Sequence, residues 1–406
     1  MTSLREPLRH PNFRWLIGGR TFGEFGNAVA PLALAFAVID LTGSAVDIGI
    51  VVGARSVASV VLLLFGGVLA DRLPRSVILQ GTELAATLTQ TVIAASVLCG
   101  FASIPLLVGL SVVNGAVSAI SAPASASLTP LTVPAELLAP ANALGRLLSN
   151  SGRIAGAGLG GILVTAVGPG WALGGNALLF LGSALSYRRI RLSRRERVPG
   201  SRPLAELVEG WREFRSRTWV WVVVVQFMVV NAVIAGGIAV LGPVVADSSF
   251  GRSGWGFALA AQTIGALVGG ILVARWQPRR ALFVGVAVIL FEAPPLILLG
   301  QAPWLPLLLA AMFVSGLAIE QFVVAWDVSL QENVPGEKLA RVYSYDMLGS
   351  FIALPLGQMA AGPAAQHFGV GTTLLACAAL VVTATCLALC SSQVRGLVRK
   401  THAARP

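Results

Sequence analysis

The chain has 406 residues, 55% of them hydrophobic and 12% charged, and its mean hydropathy is +0.79. No soluble domain of this size carries that balance, so a water-soluble enzyme or regulator is excluded. The net charge of +11 is spread over short stretches between apolar runs, which fits membrane topology and contact with anionic lipid, not a nucleic-acid groove.

Crossing hydrocarbon as a helix takes about 20 apolar residues. Twelve segments meet that need: 13–39, 46–69, 76–100, 103–124, 138–167, 170–187, 219–245, 254–274, 281–300, 303–328, 342–365 and 370–391. Strand-like alternation is missing, and lipid cannot satisfy an open backbone, so the spans are predicted to be helices. Ala33-Leu34-Ala35 in the first segment resembles a signal-peptidase site. That segment is long for a cleaved leader, however, and carries Arg20 and Glu24. It is read as a membrane helix.

The stretch 188–218 is the longest interruption, rich in arginine with Pro199-Gly200 and Pro203. Its second part places Leu204, Leu207, Val208, Trp211 and Phe214 at helical spacing, the pattern of an amphipathic helix on a membrane surface. The expected organisation is an N-terminal six-helix bundle (1–187), a basic cytoplasmic linker (188–218), and a C-terminal six-helix bundle with tail (219–406). With both ends inside, 24 of the 29 Lys and Arg residues fall on cytoplasmic segments and only Arg252 falls outside, as the positive-inside rule requires. The expected location is the cytoplasmic (inner) membrane, multi-pass, with both termini cytoplasmic.

The two halves repeat each other. Gly66-Gly67-Val68-Leu69-Ala70-Asp71-Arg72 returns as Gly269-Gly270-Ile271-Leu272-Val273-Ala274-Arg275, and Val133-Pro134 with Glu136 returns as Val334-Pro335 with Glu337. Gly156, Gly161 and Gly168 meet Gly357, Gly362 and Gly369 at an offset of 201. Parallel halves around a central site are an architecture of secondary transporters. The fold class expected is an all-α integral membrane protein, twelve transmembrane helices in two pseudo-symmetric six-helix bundles.

Chemistry-bearing motifs are sparse. Cys99, Cys377, Cys386 and Cys390 have no metal spacing, and His10, His367 and His402 lie at ends or loops. No catalytic set, metal site or cofactor is expected. A phosphate loop for ATP is missing too, which leaves an ion gradient as the energy source.

The segment Gly67-x-x-x-Asp71-Arg72-x-x-Arg75 between the second and third spans, set in two six-helix halves, resembles the major facilitator superfamily. Ala141-Asn142-Ala143-Leu144, Trp326-Asp327-Val328-Ser329-Leu330-Gln331 and Arg341-Val342-Tyr343-Ser344-Tyr345-Asp346 are similar to its macrolide-efflux and enterobactin-exporter branch, the transmembrane secretion effectors. The sequence departs from the family pattern at Pro74, Ser76 and Ala274, in the Gly156-to-Gly161 run, and in having no Arg in the fourth span. The resemblance implies a gating contact built from Gly67, Asp71, Arg72, Arg75 and Arg341 that holds the halves together at the cytoplasmic side. Asp71→Asn is then expected to leave the protein inserted and to cut transport.

A charge at a helix centre in the bilayer costs about 2.5–3.5 kcal/mol unless paired or hydrated. At about 1.5 Å per residue, Glu24, Arg153 and Glu320 fall near mid-membrane and Arg55 nearer the outside. By resemblance the third, sixth, ninth and twelfth spans support the others, so Glu24, Arg55, Arg153 and Glu320 are expected to face a central aqueous cavity. Glu83 and Glu292, on supporting spans, are read as structural. Glu24 has two possible partners, Arg20 one turn earlier or Arg153. Glu320 has no basic residue in its own span and is the first choice for proton carrier. Asp327 is read as a gate or cap, and Asn150, Asn231 and Trp326 as further cavity candidates. The expected activity is proton-coupled efflux of one small amphipathic molecule (drug, siderophore or secondary metabolite) by a monomer in the lipid bilayer. An importer or uniporter on the same fold, or a non-transporting membrane sensor, are the alternatives.

Overall fold

The computed structural model describes residues 6–70, 75–126, 128–190, 211–212, 214–276, 278–301 and 303–399. Among them every regular element is helical. The helices are α1 (Pro11–Thr42), α2 (Ala45–Ala70), α3 (Arg75–Leu98), α4 (Ile104–Ala126), α5 (Leu138–Val167), α6 (Pro169–Arg188), α7 (Thr218–Ile234), α8 (Gly242–Ser248), α9 (Arg252–Arg275), α10 (Ala281–Val288), α11 (Ala293–Gln301), α12 (Leu305–Asn333), α13 (Gly336–Phe351), α14 (Leu354–Phe368), α15 (Val370–Cys390) and the short α16 (Ser392–Gly396). All twelve predicted spans coincide with helix. Eight of them, among the described residues, are long and apolar enough to cross a membrane by length and composition. The other four carry more polar residues: α3 holds Thr82, Glu83, Thr87, Thr89, Gln90 and Thr91, and α5 holds Arg146, Asn150 and Arg153.

Three spans are broken, each with a local cause. The seventh runs from α7 through a π-helical stretch, Ala235–Leu241, into α8. Gly236 and Gly237 open that stretch, and a Cβ at Gly236 would sit 2.6 Å from the Gly357 carbonyl oxygen, so a larger residue could not make the approach. The ninth tightens to a 3-10 turn over Ile289–Glu292 between α10 and α11. Pro294 and Pro295 follow one residue later, after Ala293, and their missing N–H groups and ring clashes disrupt the preceding α-helical turn. The eleventh starts earlier than the apolar pattern implies, at Gly336, and breaks between α13 and α14 just before Pro355.

The chain forms two compact units, Met1–Glu196 with Gly242–Ala260, and Arg197–Leu241 with Ala261–Pro406. Each unit contains the same backbone devices. Gly168 (φ 84°, ψ 164°) links α5 to α6, and Gly369 (φ 85°, ψ 149°) links α14 to α15, a conformation only glycine adopts cheaply. In the first unit the Cα of Gly115 on α4 faces the Arg55 carbonyl of α2, and Gly156 on α5 faces the Phe25 carbonyl of α1. In the second unit Gly316 on α12 faces the Gln262 carbonyl of α9, and Gly357 on α14 faces the Ala232 carbonyl of α7. Both glycine offsets are 201, the offset of the sequence repeat. Small residues are what allow such approach, because between helices in lipid association rests on packing.

The core of the second unit is aromatic. Trp219, Phe322 and Trp326 are buried among Val220, Val223, Val224 and Leu330. Trp219 meets Trp326 edge to face at 5.7 Å, and Phe227 stacks on Phe322 at 4.0 Å. Of the amphipathic helix expected after Pro203, residues 191–210 and 213 lie outside the described residues. Trp211 and Phe214 stack at 5.7 Å, and both rings meet Tyr345.

Candidate functional site

In the first unit the site is built by a ladder of glycines. A Cβ at Gly152 would lie 2.8 Å from the Thr21 carbonyl oxygen, at Gly156 2.5 Å from that of Phe25, and at Gly160 3.3 Å from Val29 Cγ2. Four-residue spacing puts these positions on one face of α5, so α5 lies directly against α1. Arg153, next to Gly152, then reaches Glu24: its Nε donates to Oε2 at 2.6 Å. The Arg153 side chain is 53% exposed and that of Glu24 24%. Arg20 is engaged elsewhere, its Nη2 donating to the Ser125 carbonyl at 2.9 Å. Of the two partners open to Glu24, the structure thus supplies Arg153. Asn150, one turn before Arg153 region on α5, is half-buried.

Arg55 is set apart from that pair. It lines a small cavity, about 40 Å³, together with Asn27, Glu83, Gln90 and Asn114 and the hydroxyls of Thr82, Ser118 and Ser121. These residues come from α1, α2, α3 and α4, and Glu24 and Arg153 are not among the lining residues.

In the second unit Glu320 on α12 packs against α9, where a Cβ on Gly269 would lie 3.2 Å from Glu320 Cβ and one on Gly270 3.6 Å from its Oε1. Two other predicted residues belong to a single hydrogen-bonded string. Trp326 Nε1 donates to Asp346 Oδ2 at 2.9 Å, Ser350 Oγ donates to Asp346 Oδ1 at 3.2 Å, and Asn231 Nδ2 donates to the Ser350 carbonyl at 2.9 Å. Asp327 accepts from the Tyr343 hydroxyl at 3.0 Å. Trp326, read as a cavity residue, is 6% exposed and packs in the aromatic core with its N–H bound to Asp346. Asp346 and Tyr343 were not singled out as site residues, although both lie in the Arg341-to-Asp346 motif.

The gating contact is only partly visible. Asp71 and Arg72 lie outside the described residues. Gly67 is within α2, Arg75 opens α3 and Arg341 is within α13, and their side chains also lie outside the description.

Two features escape sequence reasoning. One is an ion cluster in the first unit: Arg252 forks onto Asp40, Nη1 to Oδ2 at 2.9 Å and Nη2 to Oδ1 at 2.5 Å, and its Nε reaches Asp247 at 2.7 Å. The same guanidinium lies over the Phe36 ring at 5.0 Å. The other is the hydrogen-bond chain that closes on Glu292, one of the two acids read as structural. Glu292, 3% exposed, accepts from Ser315 Oγ at 2.7 Å, and Ser315 accepts from Gln262 Nε2 at 3.0 Å.

A sequence model of the Major Facilitator Superfamily matches residues 16–358. The chain belongs to the major facilitator superfamily. It is similar to the multidrug efflux pump Tap of Mycolicibacterium fortuitum, 27% identical over 394 residues, 91% of this chain and 92% of that protein. It is also similar to the uncharacterized MFS-type transporter YvqJ of Bacillus subtilis (strain 168), 24% identical over 68% of this chain and 67% of that one. Among solved structures, a bacterial homolog of the human lysosomal transporter Spinster superposes with a TM-score of 0.75 at 17% identity, covering 98% of this chain and 100% of that one. The nucleoside transporter NupG superposes with a TM-score of 0.69 at 13% identity, covering 92% and 97%. At those identities the superpositions speak for the fold. The protein is a multi-pass membrane transporter of this superfamily and not an enzyme.

Proposed function

We propose that this transporter exports a small amphipathic molecule across the cell membrane in exchange for protons, by alternating access, with both termini in the cytoplasm. The observation that carries the reading is the Glu24–Arg153 ion pair: two full charges on spans α1 and α5, joined at 2.6 Å, with the arginine side chain 53% exposed. Charges so placed are tolerated where water or a polar solute reaches them. A pair of this kind responds to two inputs, a proton on Glu24 or an acidic group competing for Arg153. Tap, named as a multidrug efflux pump, supports the outward direction and a drug-like cargo; a siderophore or a secondary metabolite is the other cargo we propose. Glu320, seated on the glycines of α9, is the proposed proton carrier of the second unit. No cofactor enters the cycle; the proton gradient supplies the work.

The experiment is uptake into everted membrane vesicles under an imposed pH gradient, with a panel of amphipathic compounds. Wild type should accumulate at least one compound and lose it when the gradient is collapsed. Glu24→Gln and Glu320→Gln should each abolish gradient-driven accumulation. Accumulation that persists after collapse of the gradient would overturn proton exchange.

A further inference from the structure

The repeat places the same kind of polar cluster in each unit, and the two clusters differ in one respect. In the second unit the Gln262 carbonyl meets Gly316, Ser315 precedes that glycine, and the acid on the ninth span is Glu292. There the three side chains close on one another, Gln262 to Ser315 to Glu292. In the first unit the corresponding carbonyl belongs to Arg55, Asn114 precedes Gly115, and the acid on the third span is Glu83. These three do not close. Asn114 donates instead to Thr89 Oγ1 at 2.9 Å and to the Leu110 carbonyl at 3.1 Å. Arg55, Asn114 and Glu83 together line the 40 Å³ cavity.

The wall of that cavity is under-satisfied. Glu83 Oε2 and Gln90 Oε1 are buried and have no hydrogen-bond partner among the described residues. Gln90 is 4% exposed. A cavity needs about 10–15 Å³ per water, so this one has room for about three waters and none for a drug-sized solute. Two acceptors, one fixed cation and space for a short water string are what a proton site requires.

We propose that this cavity is a proton-binding site, with Glu83 as the carrier, water as the vehicle and Arg55 as the fixed counter-charge. The inference rests on the proton-exchange reading and adds a site to it. In loading, Glu83 Oε2 takes a proton from hydronium, an O–H bond forms and neutral water is left; in release the proton returns to water. Ser183 stands beside the Glu83 carboxyl, with its hydroxyl donating to the Gly19 carbonyl at 2.9 Å. The site also has a route to the Glu24–Arg153 ion pair. A Cβ on Gly23 would lie 3.4 Å from Glu83 Oε1, and the next residue of α1 is Glu24, bound to Arg153. An ionised Glu83 therefore repels Glu24 across a single residue of α1. The charged and titratable groups around Glu83 are Glu24 and Arg20 on α1, Arg55 on α2 and Tyr187 on α6; α4 contributes only uncharged side chains.

The test uses the full-length protein in liposomes. Infrared difference spectra between acid and alkaline pH should contain a protonated-carboxyl band that Glu83→Gln removes and Glu83→Asp retains. Arg55→Gln should displace the titration of that band, while Arg55→Lys leaves it near wild type. In the same liposomes Glu83→Gln should lose gradient-driven accumulation and keep substrate exchange without a gradient, which also shows that the variant is folded. An unchanged carboxyl band in Glu83→Gln overturns the site whatever transport shows. A wild type whose transport ignores the gradient overturns proton exchange and leaves the band to decide the site.

Discussion

The Glu24–Arg153 distance is set by how closely α5 approaches α1, so the glycine ladder can be tested as a ruler. Gly156→Ala places a methyl group 2.5 Å from the Phe25 carbonyl oxygen and 2.8 Å from Ala28 Cβ, where ordinary contact begins at 3.4 Å. The helices must separate by about 0.9 Å at that point, since a backbone carbonyl cannot swing aside, and overpacking of this kind costs about 1–3 kcal/mol. Gly18→Ala on α1 is the control, because a Cβ there meets nothing within 4 Å. Both substitutions gain the same helix propensity, about 1 kcal/mol, so the difference between them isolates the contact. Thermal unfolding of the purified protein in detergent should show Gly156→Ala less stable than Gly18→Ala by that amount. Transport should fall as well, because the same separation stretches the 2.6 Å ion pair toward about 3.5 Å, the outer edge of a hydrogen bond. Equal stabilities for the two variants would refute the ladder, and equal transport would refute its control of the pair.

Arg252→Ala should lower thermal stability by about 1 kcal/mol, the scale of a partly exposed ion cluster, and the loss should shrink in high salt; a deficit that salt does not change would mean that packing on Phe36 dominates. Trp326→Phe keeps the ring contacts and removes the donor to Asp346, so it should cost about 1–3 kcal/mol, and a double-mutant cycle with Asp346→Asn should show coupling between the two sites. Gly23→Ala places its methyl group 3.4 Å from Glu83 Oε1, an ordinary contact, whereas at Gly19 it would meet Tyr187 at 2.7 Å. Unfolding measurements should therefore find Gly23→Ala more stable than wild type by about 1 kcal/mol and Gly19→Ala less stable than Gly23→Ala, with coupling to the gradient changed in the first variant.

The spans were legible because burial in lipid demands long apolar runs, and that demand acts on composition. The repeat was legible where glycine is required by geometry: Gly156 and Gly357, or Gly168 and Gly369, keep their identity because any Cβ would collide or strain. Breaks in the spans were legible only in part. Pro294-Pro295 announced one, but the π-helical stretch Ala235–Leu241 has no pattern of its own, since its cause is the close approach of another helix. The pairing of charges was the least legible. Arg20 and Arg153 are both plausible partners of Glu24 by depth, and the choice is made by α4, whose Ser125 takes Arg20. Likewise Glu83 and Glu292 looked alike as acids on supporting helices. What separates them is whether a hydroxyl and an amide close on the carboxyl, and that depends on side-chain reach across three helices.

α1 ties these observations together. One of its faces carries Gly19, Gly23 and Gly26, against Tyr187, Ser183 with Glu83, and Asn176 with Phe180. The opposite face presents Thr21, Phe25 and Val29 to the glycines of α5. A helix with glycine ladders on both sides has little side-chain bulk to cushion a displacement. On the proposed proton-exchange reading, a change of charge at Glu83 or at Glu24 is met by movement of α1 itself, and the bonds at stake on its two sides are short ones, 2.6 Å to Arg153 and 2.9 Å from Ser183 to Gly19. In that proposed cycle a proton held on one side of α1 changes the grip on a solute at the other, with no residue in direct contact with both.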